Sequence, residues 1–164
     1  MTMKILITGN AGFIGRHLTP LLLNAGHAVI GLDKNPNNPQ AQKTTCITGN
    51  ILDKDVVLKV MEGCDLVVHL AAEHQDWGIS KETYFQVNQI GTRNLLDAAA
   101  KVGCKKFVFY QSSIREDAIK GSHPPACHGA GAGALQTGTA YGYVRLYPIL
   151  ADRKPCSSRQ SDAD

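Results

Sequence analysis

No stretch of this chain approaches the roughly 20 consecutive apolar residues that a membrane-spanning helix requires, so no membrane span is expected. The opening residues MTMKILITGN pass directly into a strand pattern, without the apolar segment and cleavage site of an export signal. A Lys/Arg block is missing too. The 17 basic and 14 acidic residues leave a formal charge of +3, too small to argue for a nucleic-acid partner. The five cysteines (Cys46, Cys64, Cys104, Cys127 and Cys156) are odd in number and scattered, and no CxxC occurs. With no export signal, reduced thiols in a cytoplasmic protein are the expectation. His123, Cys127 and His128 lie close together in sequence, yet a fourth ligand at sensible spacing is lacking, so no metal is expected. There is no internal repeat.

What is present is unevenly distributed. At 164 residues the chain is one domain by length, with 43% hydrophobic and 19% charged residues, ordinary values for a globular protein. Ile, Leu, Val, Met, Phe and Trp number 39 in residues 1–120 but only 5 in residues 121–164. The first part has the density of a packed domain. The second, rich in Gly, Ala, Pro, Ser and Arg, has little to bury and is expected to be a divergent, poorly ordered tail.

Within residues 1–120 two periodicities alternate. Met3–Ile7 is a short apolar run ending in Thr8-Gly9, the pattern of a buried parallel strand. Residues 12–24 carry Phe13, Leu18, Leu21 and Leu22 at helical spacing, and Asn24-Ala25-Gly26 supplies a stop. Pro20 conflicts with that helix, because it removes a hydrogen bond and crowds the preceding turn. Further strands are expected at residues 27–33, 44–47, 65–70 and 106–110, with a polar loop containing two prolines after the second. Helices are expected at 53–61 and 84–102, closed by Gly63 and Gly103. This rhythm implies right-handed crossovers and a doubly wound parallel α/β sheet of about five strands, with helices on both faces. Ligands bind such sheets at the carboxyl ends of the strands, beside the first turn.

That first turn is Gly9-Asn10-Ala11-Gly12-Phe13-Ile14-Gly15. It follows a strand, opens a helix, and is answered by Asp33 at the end of the next strand, 18 residues beyond Gly15. This is the context that gives a glycine motif weight as a Rossmann dinucleotide turn. Gly9 permits the tight bend, Gly12 lets the backbone approach a pyrophosphate at the helix N-terminus, and Gly15 allows close helix packing. Asp33 is placed to accept from the adenosine ribose hydroxyls, and it would repel a 2′-phosphate, which favours NAD over NADP. A flexible turn followed by a surface Asp is the alternative.

The spacing Thr8-Gly-x-x-Gly-x-x-Gly15 resembles that of the NAD-dependent epimerase/dehydratases among the extended short-chain dehydrogenase/reductases, and further segments match in order along residues 3–113. His69-Leu70-Ala71-Ala72 is similar to the family's HLAA stretch, which lines the cofactor cleft with small residues. Val87–Leu96 is similar to its VNxxGTxNLL helix, in which Asn88 fixes local structure and hydration near the active site. Gly49-Asn50-Ile51 stands where the family has Gly-Asp-aliphatic, so Asn50 would accept from the adenine amino group through a weaker, neutral bond. The resemblance thus implies cofactor contacts from Gly9, Ala11, Gly12, Phe13, Ile14, Gly15, Asp33, Asn50, Ile51, Leu70, Ala71, Ala72 and Asn88. His69 is assigned no chemistry.

Phe107–Ser113 is similar to the family's fifth strand ending in an active-site serine, which makes Ser113 the candidate to orient a substrate oxygen. Family chemistry also needs a tyrosine to transfer the hydroxyl proton and a lysine four residues later, on the same helix face, to lower its pKa. Tyr141 keeps the Tyr-Gly start, 28 residues past Ser113, but Arg145 occupies the lysine position and Pro148 ends the expected helix early. A guanidinium lowers a neighbouring tyrosine pKa but cannot pass a proton on. The sixth strand and the C-terminal substrate domain are missing from the pattern, and Arg115-Glu116-Asp117-Ala118 replaces the family's continuation. A reading frame lost near residues 114–121 would produce this. The expectation is an epimerase/dehydratase-type oxidoreductase acting on a sugar or nucleotide sugar by transient hydride transfer. An NAD-binding module, or an inactive fragment without turnover, is the alternative. A small-molecule substrate is the implied partner, and a homodimer is the assembly the resemblance allows.

Overall fold

The computed structural model describes residues 1–73, 78, 80–111, 136–139 and 142–148. Five parallel strands, β1 (Lys4–Thr8), β2 (Ala28–Asp33), β3 (Thr45–Thr48), β4 (Leu66–His69) and β5 (Lys106–Gln111), form the sheet that the apolar runs imply. Two more extend it, β7 (Gly142–Pro148) antiparallel to β5 and β6 (Gln136–Thr139) antiparallel to β7, giving the order β3-β2-β1-β4-β5-β7-β6. The strand order reverses between β1 and β4, so the crevice at the carboxyl end of β1 is the switch point of a doubly wound sheet.

Helices cover both faces. α1 (Phe13–Asn24) lies against Ile5, Ile7, Val29 and Val68 through Leu18, Leu22 and Leu23. On the other face α2 (Lys54–Met61) and α4 (Thr92–Val102) close over Leu6, Leu32, Val67 and Phe107 with Val57, Met61, Leu95 and Ala99. The strands are therefore apolar on both sides, as a continuous rather than alternating pattern requires. Two of the apolar residues expected on the inner stripe of α1 point out instead: Phe13 is 75% and Leu21 65% exposed. The buried stripe runs through Gly15, Leu18, Thr19 and Leu22, and at 100° per residue both outliers fall well off it.

α1 runs through Pro20 to a left-handed Gly26 with φ of +82°. There His27 N–H donates to Leu22 O and Gly26 N–H to Leu23 O, the paired bonds of a Schellman cap. The carbonyl orphaned by Pro20 is that of Arg16, four residues back. It accepts instead from Gln40 Nε2 at 3.4 Å, a long bond from a side chain buried in the loop after β2.

The helix before β5 is longer than periodicity implies. α3 (Lys81–Phe85), a π-helical stretch Gln86–Gly91 and α4 run on from the Ser80 cap to a left-handed Gly103 with φ of +72°. Gly91 lies where any side chain would strike Ile51, so the helix approaches that loop closely. Asn94, buried beside it, donates to the carbonyls of Ile51 and Leu52. One expected helix is absent: Gly142–Pro148, proposed from the Tyr-Gly start as a helix carrying Arg145, is strand β7, with Arg145 opposite Phe109 of β5. Tyr143, Val144 and Tyr147 are residues that favour a pleated surface, and an existing sheet edge supplies the partner.

Candidate functional site

The switch-point crevice is walled by the Gly9–Gly15 turn, the end of β2 and the residues after β4. Gly9 bends with φ of +73°, and a Cβ there would lie 2.7 Å from Ala71 N, so the turn presses against the His69–Ala72 segment. Gly12 begins α1 with no side chain capping the helix and no acid in its first turn. A Cβ on Gly12 would meet only Gly9 O, at 3.1 Å, and the residue is exposed. A bare, approachable helix N-terminus fits a pyrophosphate. Gly15 is tight for a reason not anticipated: its missing side chain would meet the backbone of Asn10 at 2.4–2.7 Å, so the crowding partner is the turn itself.

Asp33 joins this turn directly. Its Oδ2 accepts from Ala11 N–H at 2.9 Å and its Oδ1 from Asn35 N–H at 2.9 Å. Each carboxylate oxygen keeps lone-pair capacity for a further donor, so the half-buried group remains able to bind hydroxyls. Asn50 Oδ1 closes a local turn onto Leu52 N–H at 3.0 Å, while the Ile51 side chain sits in the core. Leu70 and Ala71 are half-buried and Ala72 exposed at the crevice. Phe13 and Ile14 are exposed beside the helix start. Asn88, within the π-helical stretch, grips residue 73 twice: Glu73 N–H donates to its Oδ1 and its Nδ2 donates to Glu73 O, both at 2.9 Å.

Several residues that matter here carry no signal of their own in the sequence. Asn10 is fully buried, donates to Cys46 Sγ, and accepts from Asn38 Nδ2 at 2.9 Å, so it ties the glycine turn to the loop after β2. Gly31 lies directly beneath it, and a Cβ there would come within 1.9 Å of Asn10 Nδ2 and displace the Asn10 amide. His69, to which no chemistry was assigned, is the centre of a buried chain. Thr92 Oγ1 donates to Asn88 O at 2.7 Å, so it accepts from His69 Nε2–H at 2.9 Å, and the other ring nitrogen, Nδ1, accepts from the Thr8 hydroxyl at 2.7 Å. Burial lowers the His69 pKa to about 4, which keeps the ring neutral and this tautomer in place.

Ser113 and Tyr141 lie outside the described residues, as do His123, Cys127 and His128, and Arg145 is located only as a position in β7. Among the described residues no cluster of His, Cys, Asp or Glu could hold a metal ion, and no helix is long and apolar enough to cross a membrane. Burial pushes the Cys64 thiol up to about 11 and raises that of Cys104, so neither is a ready nucleophile.

A doubly wound parallel sheet with a glycine turn, an uncapped helix and a strand-end carboxylate at its switch point defines a Rossmann-type domain. The model of the NAD dependent epimerase/dehydratase family matches residues 5–149, and the chain belongs to that family. A 3 beta-hydroxysteroid dehydrogenase/Delta 5-->4-isomerase of Mycobacterium tuberculosis is 35% identical over 117 residues, 67% of this chain and 32% of that protein. A short-chain dehydrogenase/reductase superfamily protein of Agrobacterium tumefaciens, solved with bound NAD, superposes with a TM-score of 0.59 at 34% identity, covering 65% of this chain and 31% of that one. The UDP-glucose 4-epimerase of Thermotoga maritima, solved with UDP-glucose, gives 0.60 at 30% identity, covering 65% and 37%. The chain thus spans about a third of the length of the relatives it matches.

Proposed function

We propose that residues 1–111 hold NAD across the carboxyl edge of the sheet. The observation that carries this is the uncapped start of α1 at Gly12, reached through a turn whose Ala11 N–H is bonded to Asp33. The pyrophosphate lies on the N–H groups opening α1, and Asp33 accepts from the adenosine ribose. Asn50 faces the adenine amino group, and Leu70, Ala71 and Ala72 leave room for the rest of the cofactor. When bound, NAD supplies a hydride acceptor. The two relatives named for their reactions, a UDP-glucose 4-epimerase and a 3 beta-hydroxysteroid dehydrogenase, differ in substrate, and the reading we take for this chain is hydride removal from a secondary alcohol. We assign the whole protein to this chemistry, with a sugar or nucleotide sugar as substrate. Ser113 orients the substrate oxygen and Tyr141 takes its proton, while Arg145, on strand β7 instead of the expected helix, is given no part in lowering the tyrosine pKa.

Cofactor titration tests the binding half. At a hundredfold excess of NAD over Kd the chain gains about 2.7 kcal/mol, which raises the melting temperature by several degrees. An unchanged melting curve with no heat of binding would remove NAD from the account. The catalytic half rests on Tyr141. Exchanging it for Phe should lower turnover of a nucleotide sugar by roughly 10²–10⁴ while leaving NAD affinity intact. Turnover equal to the parent's would exclude Tyr141, and no turnover by the parent would leave an NAD-binding module.

A further inference from the structure

Residue 34 directly follows the carboxylate that reads the ribose, and it is a lysine. Lys34 follows β2 and Glu73 follows β4, and in the order β3-β2-β1-β4 these strands flank β1. Strands two positions apart are separated by roughly 10 Å, so an ion pair between the two residues must cross the carboxyl end of β1. That pair is present: Lys34 Nζ bonds Glu73 Oε1. It is unequal in its surroundings. The Lys34 side chain is 70% exposed, whereas that of Glu73 is only 10% exposed. Glu73 is also fixed at its backbone, where Asn88 holds both its N–H and its C=O. The carboxylate is therefore the anchored partner and the lysine the recruited one.

We infer that Glu73 is a cofactor-specificity residue, which withholds Lys34 from the place where a ribose 2′-phosphate would lie. The inference rests on the proposal that the crevice binds NAD. A dinucleotide with a 2′-phosphate would bring a dianion beside Asp33, and only a neighbouring cation makes that tolerable. Lys34 is the residue adjoining Asp33, with a four-carbon stem long enough to turn back toward it. Bound to Glu73, its ammonium is held in that pair and is not free to turn toward a 2′-phosphate. Asp33 thus rejects the phosphate directly, while Glu73 rejects it by occupying the lysine. Asn88 acts at one remove, because it sets where the Glu73 carboxylate is presented.

The test is calorimetric titration of the full chain with NAD and with NADP, in the parent, E73Q, K34Q and the double variant. Glutamine keeps the shape of Glu73 and cannot hold the ammonium by charge. In E73Q the NADP affinity should rise on the order of fivefold, with NAD affinity within twofold of the parent, because one charge-assisted contact to phosphate is gained in a solvated setting. K34Q alone should leave both affinities near the parent's, and the double variant should lose the gain made by E73Q. A gain that survives in the double variant would show that Lys34 is not its source and overturn the inference. So would an unchanged ratio of NADP to NAD affinity in an E73Q that binds NAD normally. A parent chain that binds neither dinucleotide overturns the NAD reading itself, and the inference falls with it.

Discussion

Exchanging Gly15 for alanine is expected to lower stability by about 3 kcal/mol, which for a chain of this size is roughly 10 °C of melting temperature. The added Cβ would lie 2.4 Å from Asn10 Cα and 2.7 Å from Asn10 C and O, atoms that no rotamer change can move aside. Relief requires shifting either the start of α1 or the turn from Gly9 to Gly12. NAD affinity should fall together with stability, because those N–H groups form the proposed pyrophosphate site. Gly26→Ala is the control. It also sits at a turn, with φ of +82°, but nothing lies within 4 Å of its missing side chain. There the cost is that of the left-handed backbone alone, on the order of 1–2 kcal/mol, and NAD binding should be untouched. Urea unfolding of the two variants decides the matter. Equal losses would mean that the contact with Asn10 contributes nothing.

His69 should make stability depend on pH in a definite direction. The free imidazole takes its proton near pH 6.5, but in the folded chain burial lowers this to about 4. Between those values the unfolded chain binds more protons than the folded one, so stability rises with pH across the window. Read downward, the contribution is intact above pH 6.5 and is lost as the pH falls toward 4, for a total of about 3 kcal/mol. Protonation puts a hydrogen on Nδ1, where the Thr8 hydroxyl already donates, so the chain from Thr8 through Thr92 to Asn88 cannot persist as it stands. His69→Phe should flatten this part of the profile. It should also impose a pH-independent loss of about 1–3 kcal/mol, because the buried Thr8 hydroxyl loses its acceptor. The other five histidines are common to both chains and cancel in the difference. Parallel profiles between pH 4.5 and 7.5 would refute the assignment.

Much of the crevice was legible because its requirements are local. A glycine turn between strand and helix, and a carboxylate at the end of the next strand, are visible as spacing. Asp33 and Gly9–Gly15 stand where that spacing places them. Illegible were contacts between segments distant in the chain. Thr8 meets His69 across 61 positions, and Lys34 meets Glu73 across 39. Nothing in either local pattern signals a partner, since a Thr before the turn and a Lys after a strand are ordinary there. Asn10 illustrates the same limit, because a polar residue inside a glycine motif gives no hint of full burial between Gly31 and Asn38. Pro20 marked a conflict in α1, yet its resolution by Gln40 depends on a loop folding back over the helix.

The sequence by itself determined the five parallel strands, the faces that the helices cover, and the glycine turn, since each follows from apolar periodicity or from a backbone conformation open to glycine. It did not determine the state of Gly142–Pro148, where β-branched and aromatic residues accept a strand only because the edge of β5 is there to pair with. Nor did it determine the tautomer of His69, the clamp of Asn88 on Glu73 or the placement of Lys34. Those depend on which strand ends the sheet order brings side by side. Hydrogen bonds and ion pairs act over a few ångströms of space, and only the tertiary structure converts distance along the chain into that separation.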